Sequence, residues 1–285
     1  MKTMKLNNGV EMPMLGLGTY QVRDAGLCSE NVLAAIKAGY RLIDTAQQYG
    51  NEEAVGAGIN AALKEGIVKR EELFVTTKAW FKDYETEDCI RGLESSFKKL
   101  GVEYIDMVLL HWPFGNVYAA WRVLEKYYEQ GRIRAIGVSN MRPDRFIDLA
   151  AYNKITPAVN QIETHLYCQR REDRVWLEKY GIAHQAYTPL GQGRANEMFE
   201  EAPVKALAQK YGKTPAQVLL RFLVQGNVAV IPKSVHEERL KENIDIFDFE
   251  LTDEEMHSLE ALDKNAPMIG RAEDPVRTEE SYNWS

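Results

Sequence analysis

The sequence predicts an α/β fold: a (β/α)8 (TIM) barrel with an N-terminal β-hairpin plug and extra C-terminal helices. Three observations carry that expectation. Eight short apolar runs each precede a stretch of helical periodicity, the alternation that builds parallel βαβ units. The runs are apolar at consecutive rather than alternate positions, as strands buried on both faces are. No GxGxxG follows the first run, which weakens a doubly wound open sheet. The one loose match, Gly56-Ala57-Gly58 with Ala61, falls inside a predicted helix, the wrong setting for a pyrophosphate turn. With 285 residues, 45% of them hydrophobic, a single barrel domain over residues 1–285 is expected.

In chain order, residues 2–6 and 10–12 flank Asn7-Asn8-Gly9, a turn sequence that favours positive φ and closes a hairpin. The first barrel strand is predicted over 15–19, with Ser29 capping a helix that Gly39 stops. Strand two covers 40–44 and its helix 51–64; strand three covers 73–78 and its helix 86–100, ended by Gly101. Strand four covers 104–111 and its helix 117–129; strand five covers 133–139, with a helix starting near Pro143, suited to a first turn. Strand six covers 158–163 with a helix over 171–180, and strand seven covers 182–187. Helices follow over 203–211 and 214–225, then strand eight over 228–232 and helices over 236–243 and 253–262. The tail, 265–285, is expected to be irregular, with Trp284 either packed on the rim or disordered.

The net charge of −7, with no basic stripe, argues against a nucleic-acid partner. Lys2 and Lys5 are not followed by an apolar signal region, and no run approaches membrane-spanning length. Cys28, Cys89 and Cys168 are odd in number and form no CxxC, as reduced thiols of a cytoplasmic protein would. Asn283-Trp284-Ser285 matches a glycosylation acceptor only formally. HExxH is absent and the five His are scattered, so no metal is expected.

Chemistry in a barrel sits at the C-terminal ends of its strands. In this sequence those ends carry Thr19-Tyr20, Asp44, Lys78, His111, Ser139-Asn140, Asn160-Gln161 with Glu163, Tyr187, and Lys233-Ser234. Taken singly, such a residue reads as a cap or a satisfied core polar group. Eight on one rim are hard to read that way. Asp44, Lys78 and His111 come from three consecutive strands, and Tyr49 lies on the loop after the second. Lys78 with Asp44 could be a self-neutralising buried pair, and His111 a core imidazole bonded to backbone. Used together, the four make a general acid with its tuning partners. A phenol titrates near ~10 and is a poor proton donor at neutral pH. An adjacent ammonium, held by Asp44, is expected to lower that value. His111 would orient a substrate carbonyl, and the set would face a developing alkoxide.

GYRLIDTAQQYGNEE at 39–53, TTKAW at 76–80, DMVLLHWP at 106–113, IGVSN at 136–140, VNQIE at 159–163, AYTPLGQG at 186–193 and IPKSVHEERLKEN at 231–243 together resemble the aldo-keto reductases. The likeness is nearest to their compact prokaryotic branch, which includes 2,5-diketogluconate and methylglyoxal reductases, and it runs in collinear order through nearly the whole chain. It implies an NADPH-dependent oxidoreductase acting on CH–OH donors, in which a hydride from nicotinamide C4 reaches a carbonyl carbon while Tyr49 protonates the oxygen. It implies roles for Lys78 and Asp44 in tuning Tyr49 and for His111 in positioning the carbonyl. Ser139, Asn140 and Gln161 fall where the family bonds the nicotinamide carboxamide, and Tyr187 where a ring stacks on the nicotinamide. Leu190, Gly191 and Gln192 match the pyrophosphate loop. Lys233, Ser234, Val235 and Arg239 match the clamp on the adenosine 2′-phosphate, and Glu242 and Asn243 the adenine contacts. Tyr20, Trp80 and Trp112 resemble the apolar walls of the substrate pocket; Trp80 and Trp112 could instead be core aromatics, but their strand-end positions favour the pocket.

NADPH is therefore expected to serve better than NADH, which is the weaker cofactor. His236 stands where relatives carry Arg or Lys, which reduces that preference. Ala79 replaces a commoner Leu and enlarges the pocket slightly. The short segment 114–118 and an irregular tail predict an open site for small aldehydes, ketones or α-dicarbonyls such as methylglyoxal, in a cytoplasmic monomer. Two alternatives remain: a cofactor-sensing partner protein on the same fold, and a Schiff-base or phosphate-handling barrel enzyme with Lys78 as nucleophile.

Overall fold

The computed structural model describes residues 2–284, so Ser285, the last residue of the tail, lies outside the described residues. Strands β1 (Thr3–Lys5) and β2 (Glu11–Pro13) form the antiparallel hairpin, with Met4 opposite Met12. Eight parallel strands follow: β3 (Leu17–Gly18), β4 (Leu42–Asp44), β5 (Phe74–Ala79), β6 (Ile105–Leu110), β7 (Ile133–Ser139), β8 (Val159–Glu163), β9 (Ala183–Tyr187) and β10 (Ala229–Val230). They pair in chain order. The sheet closes where Leu15 bridges Val230 and the Gly16 amide donates to the Val230 carbonyl at 2.9 Å. Gly18 is needed at this seam, because a Cβ there would sit 2.8 Å from the Ile231 carbonyl oxygen.

Around the barrel run α1 (Ala25–Lys37), α2 (Glu52–Lys64), α3 (Thr86–Leu100), α4 (Val117–Glu129), α5 (Pro143–Tyr152), α6 (Arg171–Lys179), α7 (Ala195–Phe199), α8 (Ala202–Tyr211), α9 (Pro215–Gln225), α10 (Glu237–Ile244), α11 (Asp253–Glu260) and α12 (Pro275–Ser281). Helix α1 begins four residues before the expected cap: Asp24, not Ser29, accepts from the Leu27 amide at 2.7 Å. Gly26 in the first turn hides that start from a propensity reading. Two helices lie where none was expected. The five-residue α7 is too short to show a period, and α12 ends the supposedly irregular tail. Its start is nonetheless written in Asp274-Pro275, an N-cap followed by a first-turn proline.

The barrel interior explains where the chemistry stands. Leu6 and Met12 of the hairpin pack with Leu42, Phe74, Met107, Leu109, Val159 and Ala229 in one buried cluster inside the strands. Side chains alternate along a strand, so the inward column continues from Leu42 to Asp44, from Phe74 through Thr76 to Lys78, and from Leu109 to His111. The same step takes Val159 to Gln161 and Glu163. Hydrophobic residues thus fill the plugged end, and polar ones converge on the other. The outward residues, such as Ile43, Val75 and Val108, pack under the helices. Among the described residues no helix is long and apolar enough to cross a membrane.

Two buried imidazoles give this fold an acid-sensitive stability. Burial, and then the Lys78 charge, hold His111 well below the ordinary value; burial, then Arg174 and Arg170, hold His184 down to about 3. In the unfolded chain each takes up a proton as pH falls through about 6.5, whereas in the folded chain neither does until much lower pH. Stability present above pH ~6.5 is therefore lost on acidification, by about 1.4 kcal/mol per pH unit for each group. Lowering the pH from 7 to 5 is expected to cost on the order of 2 kcal/mol per histidine, read as a fall in the urea midpoint. The His184→Gln variant should show about half that fall.

Candidate active site

Asp44 ends β4, and the chain then turns through a 3-10 segment, Gln47–Tyr49, that returns the Tyr49 ring over the barrel mouth. The turn is fixed by Asn51, whose amide donates to the Thr19 carbonyl at 2.9 Å and whose oxygen accepts from the Thr45 hydroxyl at 2.7 Å. Gln47 anchors the same turn to β5 by accepting from the Trp80 amide at 2.8 Å. Local sequence thus delivers Tyr49 to a position set by the neighbouring strands.

Lys78 is fully buried. Its Nζ donates to Asp44 Oδ1 at 2.5 Å, to the Thr45 carbonyl at 2.9 Å and to the Tyr49 hydroxyl oxygen at 3.3 Å. The second Asp44 oxygen accepts from Gln161 Nε2 at 2.8 Å, and Gln161 in turn donates to Gln185 Oε1 at 2.7 Å. The Tyr49 and His111 rings meet edge to face with centroids 5.6 Å apart, and Trp80 meets His111 at 5.4 Å. His111 Nδ1 is buried with no hydrogen-bond partner. The four residues from four segments therefore form one contact set.

Their ionisation differs from the sequence expectation in one respect. Burial pushes Asp44 up and Lys78 down, and each partner's charge opposes the shift in the other. The Tyr49 phenol is held well above its ordinary value, first by burial, then by the Asp44 carboxylate, then by Tyr20 and Tyr187. The expected lowering by Lys78 does not occur. That ammonium is shared with Asp44 and the Thr45 carbonyl, and desolvation together with the Asp44 charge outweighs its pull on the phenol.

A cavity of about 930 Å³ spreads from this set across the C-terminal end of the barrel. At its centre the Ser139 hydroxyl donates to the Gln161 carbonyl at 2.8 Å, and the Asn140 amide donates to the His111 carbonyl at 3.1 Å. The Tyr187 hydroxyl donates to Asn140 Oδ1 at 2.6 Å, which sets the tilt of that ring. Leu190, Gly191 and Gln192 line one flank. Gly191 has φ +66°, and a Cβ there would fall 2.7 Å from Met198 Cε. At the far end stand Lys233, Ser234, Arg239, Glu242 and Asn243. Val235 does not line the cavity, nor does His236, and Glu242 already accepts from the Thr214 hydroxyl at 2.6 Å. Among the described residues, neither Lys233 nor Arg239 has a carboxylate partner. An elongated cleft with two uncompensated cations at one end fits a phosphorylated dinucleotide. Among the described residues, no three His, Cys, Asp or Glu gather as a metal site would require.

At the near end Tyr20, Trp80 and Trp112 line the cavity, with Tyr20 44% exposed at the rim and its ring 5.0 Å from Tyr49. The tail was misjudged. Trp284 packs on Trp112 at 5.1 Å, and also meets Trp80 and Phe114, while Lys82 donates to its carbonyl. The fully buried Glu163 carboxylate accepts from the Ile269 amide at 3.1 Å and from that of Met268, pinning the tail to the end of β8. The site is therefore covered by the tail, not left open by the short 114–118 segment. Arg277, Asn283 and Trp284 join the lining, the first two missed from sequence. Gln185 was missed too, although it lies two residues before Tyr187 on the inward column.

Comparison with known proteins agrees with this geometry. The model of the aldo/keto reductase family matches residues 14–264. A glyoxal reductase of Bacillus subtilis is 45% identical over 92% of this chain and 93% of its own length. An aldo-keto reductase from a deep-sea metagenome library superposes with TM-score 0.91 at 38% identity, covering 95% of this chain and 98% of its own. A Bombyx mori aldo-keto reductase solved in complex with NADP does so with TM-score 0.90 at 34% identity, covering 98% and 97%.

Proposed function

The chain belongs to the aldo/keto reductase family, and on that premise we propose that it reduces small aldehydes and ketones, α-dicarbonyls such as methylglyoxal among them, with NADPH. The observation that carries this reading is the buried contact set at the cavity floor, in which the Tyr49 hydroxyl lies 3.3 Å from the Lys78 ammonium and against the His111 ring. A phenol with its pKa raised is fully protonated at neutral pH and so is loaded to donate. As negative charge gathers on the substrate oxygen, that oxygen becomes far more basic than any phenolate, and the proton moves from Tyr49 Oη to it. Lys78 then faces the new phenolate and stabilises it. His111 is neutral, and because Nδ1 finds no acceptor its proton is best used from Nε2, toward the carbonyl oxygen.

Reduced nicotinamide, when bound, supplies the hydride. Ser139, Asn140 and Gln161 would bond its carboxamide, and Tyr187 would support its ring. Leu190, Gly191 and Gln192 would border the pyrophosphate. Lys233, Ser234 and Arg239 would hold the 2′-phosphate, and Glu242 and Asn243 the adenine. Val235 can contribute at most through its backbone. Each charge-assisted bond is worth roughly 1.5–3 kcal/mol, so two of them favour NADPH over NADH by on the order of a hundredfold or more. The cavity must take both dinucleotide and substrate beneath the tail, which supports a small carbonyl. A relative named for glyoxal reduction supports the dicarbonyl class.

One domain carries this activity, and we take it to act as a cytoplasmic monomer with no nucleic-acid or membrane partner. Lys78 is fully buried and salt-bridged, which disfavours a Schiff-base nucleophile. The uncovered cations and complete contact set favour turnover over cofactor sensing alone. The test is a panel of carbonyls with NADPH and NADH, followed at 340 nm. Small aldehydes and dicarbonyls are expected to turn over with NADPH preferred. High efficiency confined to steroids or long sugars would overturn the substrate reading, and no oxidation of either cofactor would overturn the reductase reading.

A further inference from the structure

Arg277, in α12, has a setting that the reaction as described does not use. Its guanidinium lies over two adjoining indoles, 4.9 Å from the Trp112 ring centroid and 5.0 Å from that of Trp284. It lines the same cavity as Tyr49 and His111, and Trp112 in turn stacks on His111 with centroids 6.3 Å apart. Arg277 Nε is buried with no hydrogen-bond partner. Nearby cations differ: Arg271 pairs with Glu273 at 3.6 Å, and Lys264 with Glu201 at 3.5 Å. Among the described residues no carboxylate pairs with Arg277. An unmade bond to a buried donor costs about 1–3 kcal/mol. The two indole faces hold the cation in place but satisfy none of its N–H groups.

A guanidinium offers its donors as a planar fork that matches a carboxylate. The charges that suit a cofactor phosphate, Lys233 and Arg239, stand at the other end of the cleft. Arg277 is separated from the carbonyl-orienting imidazole by a single ring, and no anion of the protein itself reaches it. We propose that Arg277 is an anion subsite of the substrate pocket, selecting short carbonyl compounds that carry a carboxylate a few carbons from the carbonyl over neutral ones of similar size. This rests on the reductase reading above and narrows its substrate class. The stacking also makes the subsite depend on the tail, since α12 supplies the cation and Trp284 one of its two faces.

The test compares kcat/KM for 4-oxobutanoate and for its methyl ester, with saturating NADPH, in the full chain and in Arg277→Met and Arg277→Lys. Met keeps an unbranched stem against the indoles and removes the charge. The unaltered protein should favour the acid by roughly 10- to 100-fold, in line with one charge-assisted hydrogen bond. Arg277→Met should collapse that ratio mainly by raising KM for the acid, and Arg277→Lys should restore part of it. Without any variant, KM for the acid should rise with added NaCl while that for the ester does not. A ratio near one in the unaltered protein, or a Met variant that lowers both substrates alike, would make Arg277 a structural spacer and overturn the subsite. Reduction of the ester without preference for the acid overturns the subsite alone. Reduction of neither, in a folded protein, overturns the reductase reading with it.

Discussion

Replacing Tyr49 by Phe is expected to lower kcat by roughly 10²–10⁴-fold, the range that a positioned general acid contributes, while NADPH still quenches the tryptophan fluorescence. The ring contacts that place residue 49, with Tyr20 at 5.0 Å and His111 at 5.6 Å, do not need the hydroxyl, so the cavity should keep its shape. A structural role alone would move cofactor affinity and turnover together. The pH profile supplies an independent readout. Because burial holds the phenol well above its ordinary value, reduction, which needs the protonated form, should run level from pH 6 to beyond 9. His111 adds no limb near 6.5, since its imidazole is already neutral there. Oxidation of the corresponding alcohol needs phenolate and should climb with pH over the same interval. A fall in reduction centred near neutrality would assign the proton to another group, and retained turnover in Tyr49→Phe would remove Tyr49 from its role.

The sequence made the converging rim legible because strand geometry has a period of two. Once Phe74 and Leu109 are inside the barrel, Lys78 and His111 can only point the same way. Helix boundaries were legible where a cap or stop was written, as at Gly101, with φ +65° after α3. What sequence could not supply was the balance of opposing terms at Tyr49. The ammonium is present, but whether it lowers the phenol's pKa depends on how much of its field Asp44 takes and how dry the site is. Those are distances and burial, not residue types. The tail escaped for a related reason. Seven residues of α12 carry too short a period to read, and its packing depends on a long-range bond from Glu163, 106 positions before Ile269. The consequence is chemical, because the misread tail brings Arg277 and Trp284 into the lining of the cavity that holds Tyr49 and His111.

Lys78→Met tests the other half of the contact set and should be the most destabilising single change in it. The substitution leaves Asp44, 1% exposed, without its cation, and removing one partner of a buried pair costs about 3–5 kcal/mol. Against a total of about 5–15 kcal/mol, that should lower Tm by roughly 10 °C. Turnover should fall as well, since the phenolate formed at Tyr49 would meet no opposing charge. The two effects can be separated. Asp44→Asn combined with Lys78→Met removes both charges, and replacing a buried ion pair by neutral groups is often nearly neutral in stability. The amide of residue 44 can still accept from Gln161 Nε2, which now lies 2.8 Å from Asp44 Oδ2. The double variant is therefore expected to recover most of the lost Tm and none of the lost kcat. If it recovered both, Lys78 would act only by neutralising Asp44. If the single variant kept its Tm, the burial argument at the floor of the barrel would be wrong. The proposed order of events, with Tyr49 giving up its proton and Lys78 holding the charge left behind, predicts a stable protein whose acid step has lost its electrostatic partner.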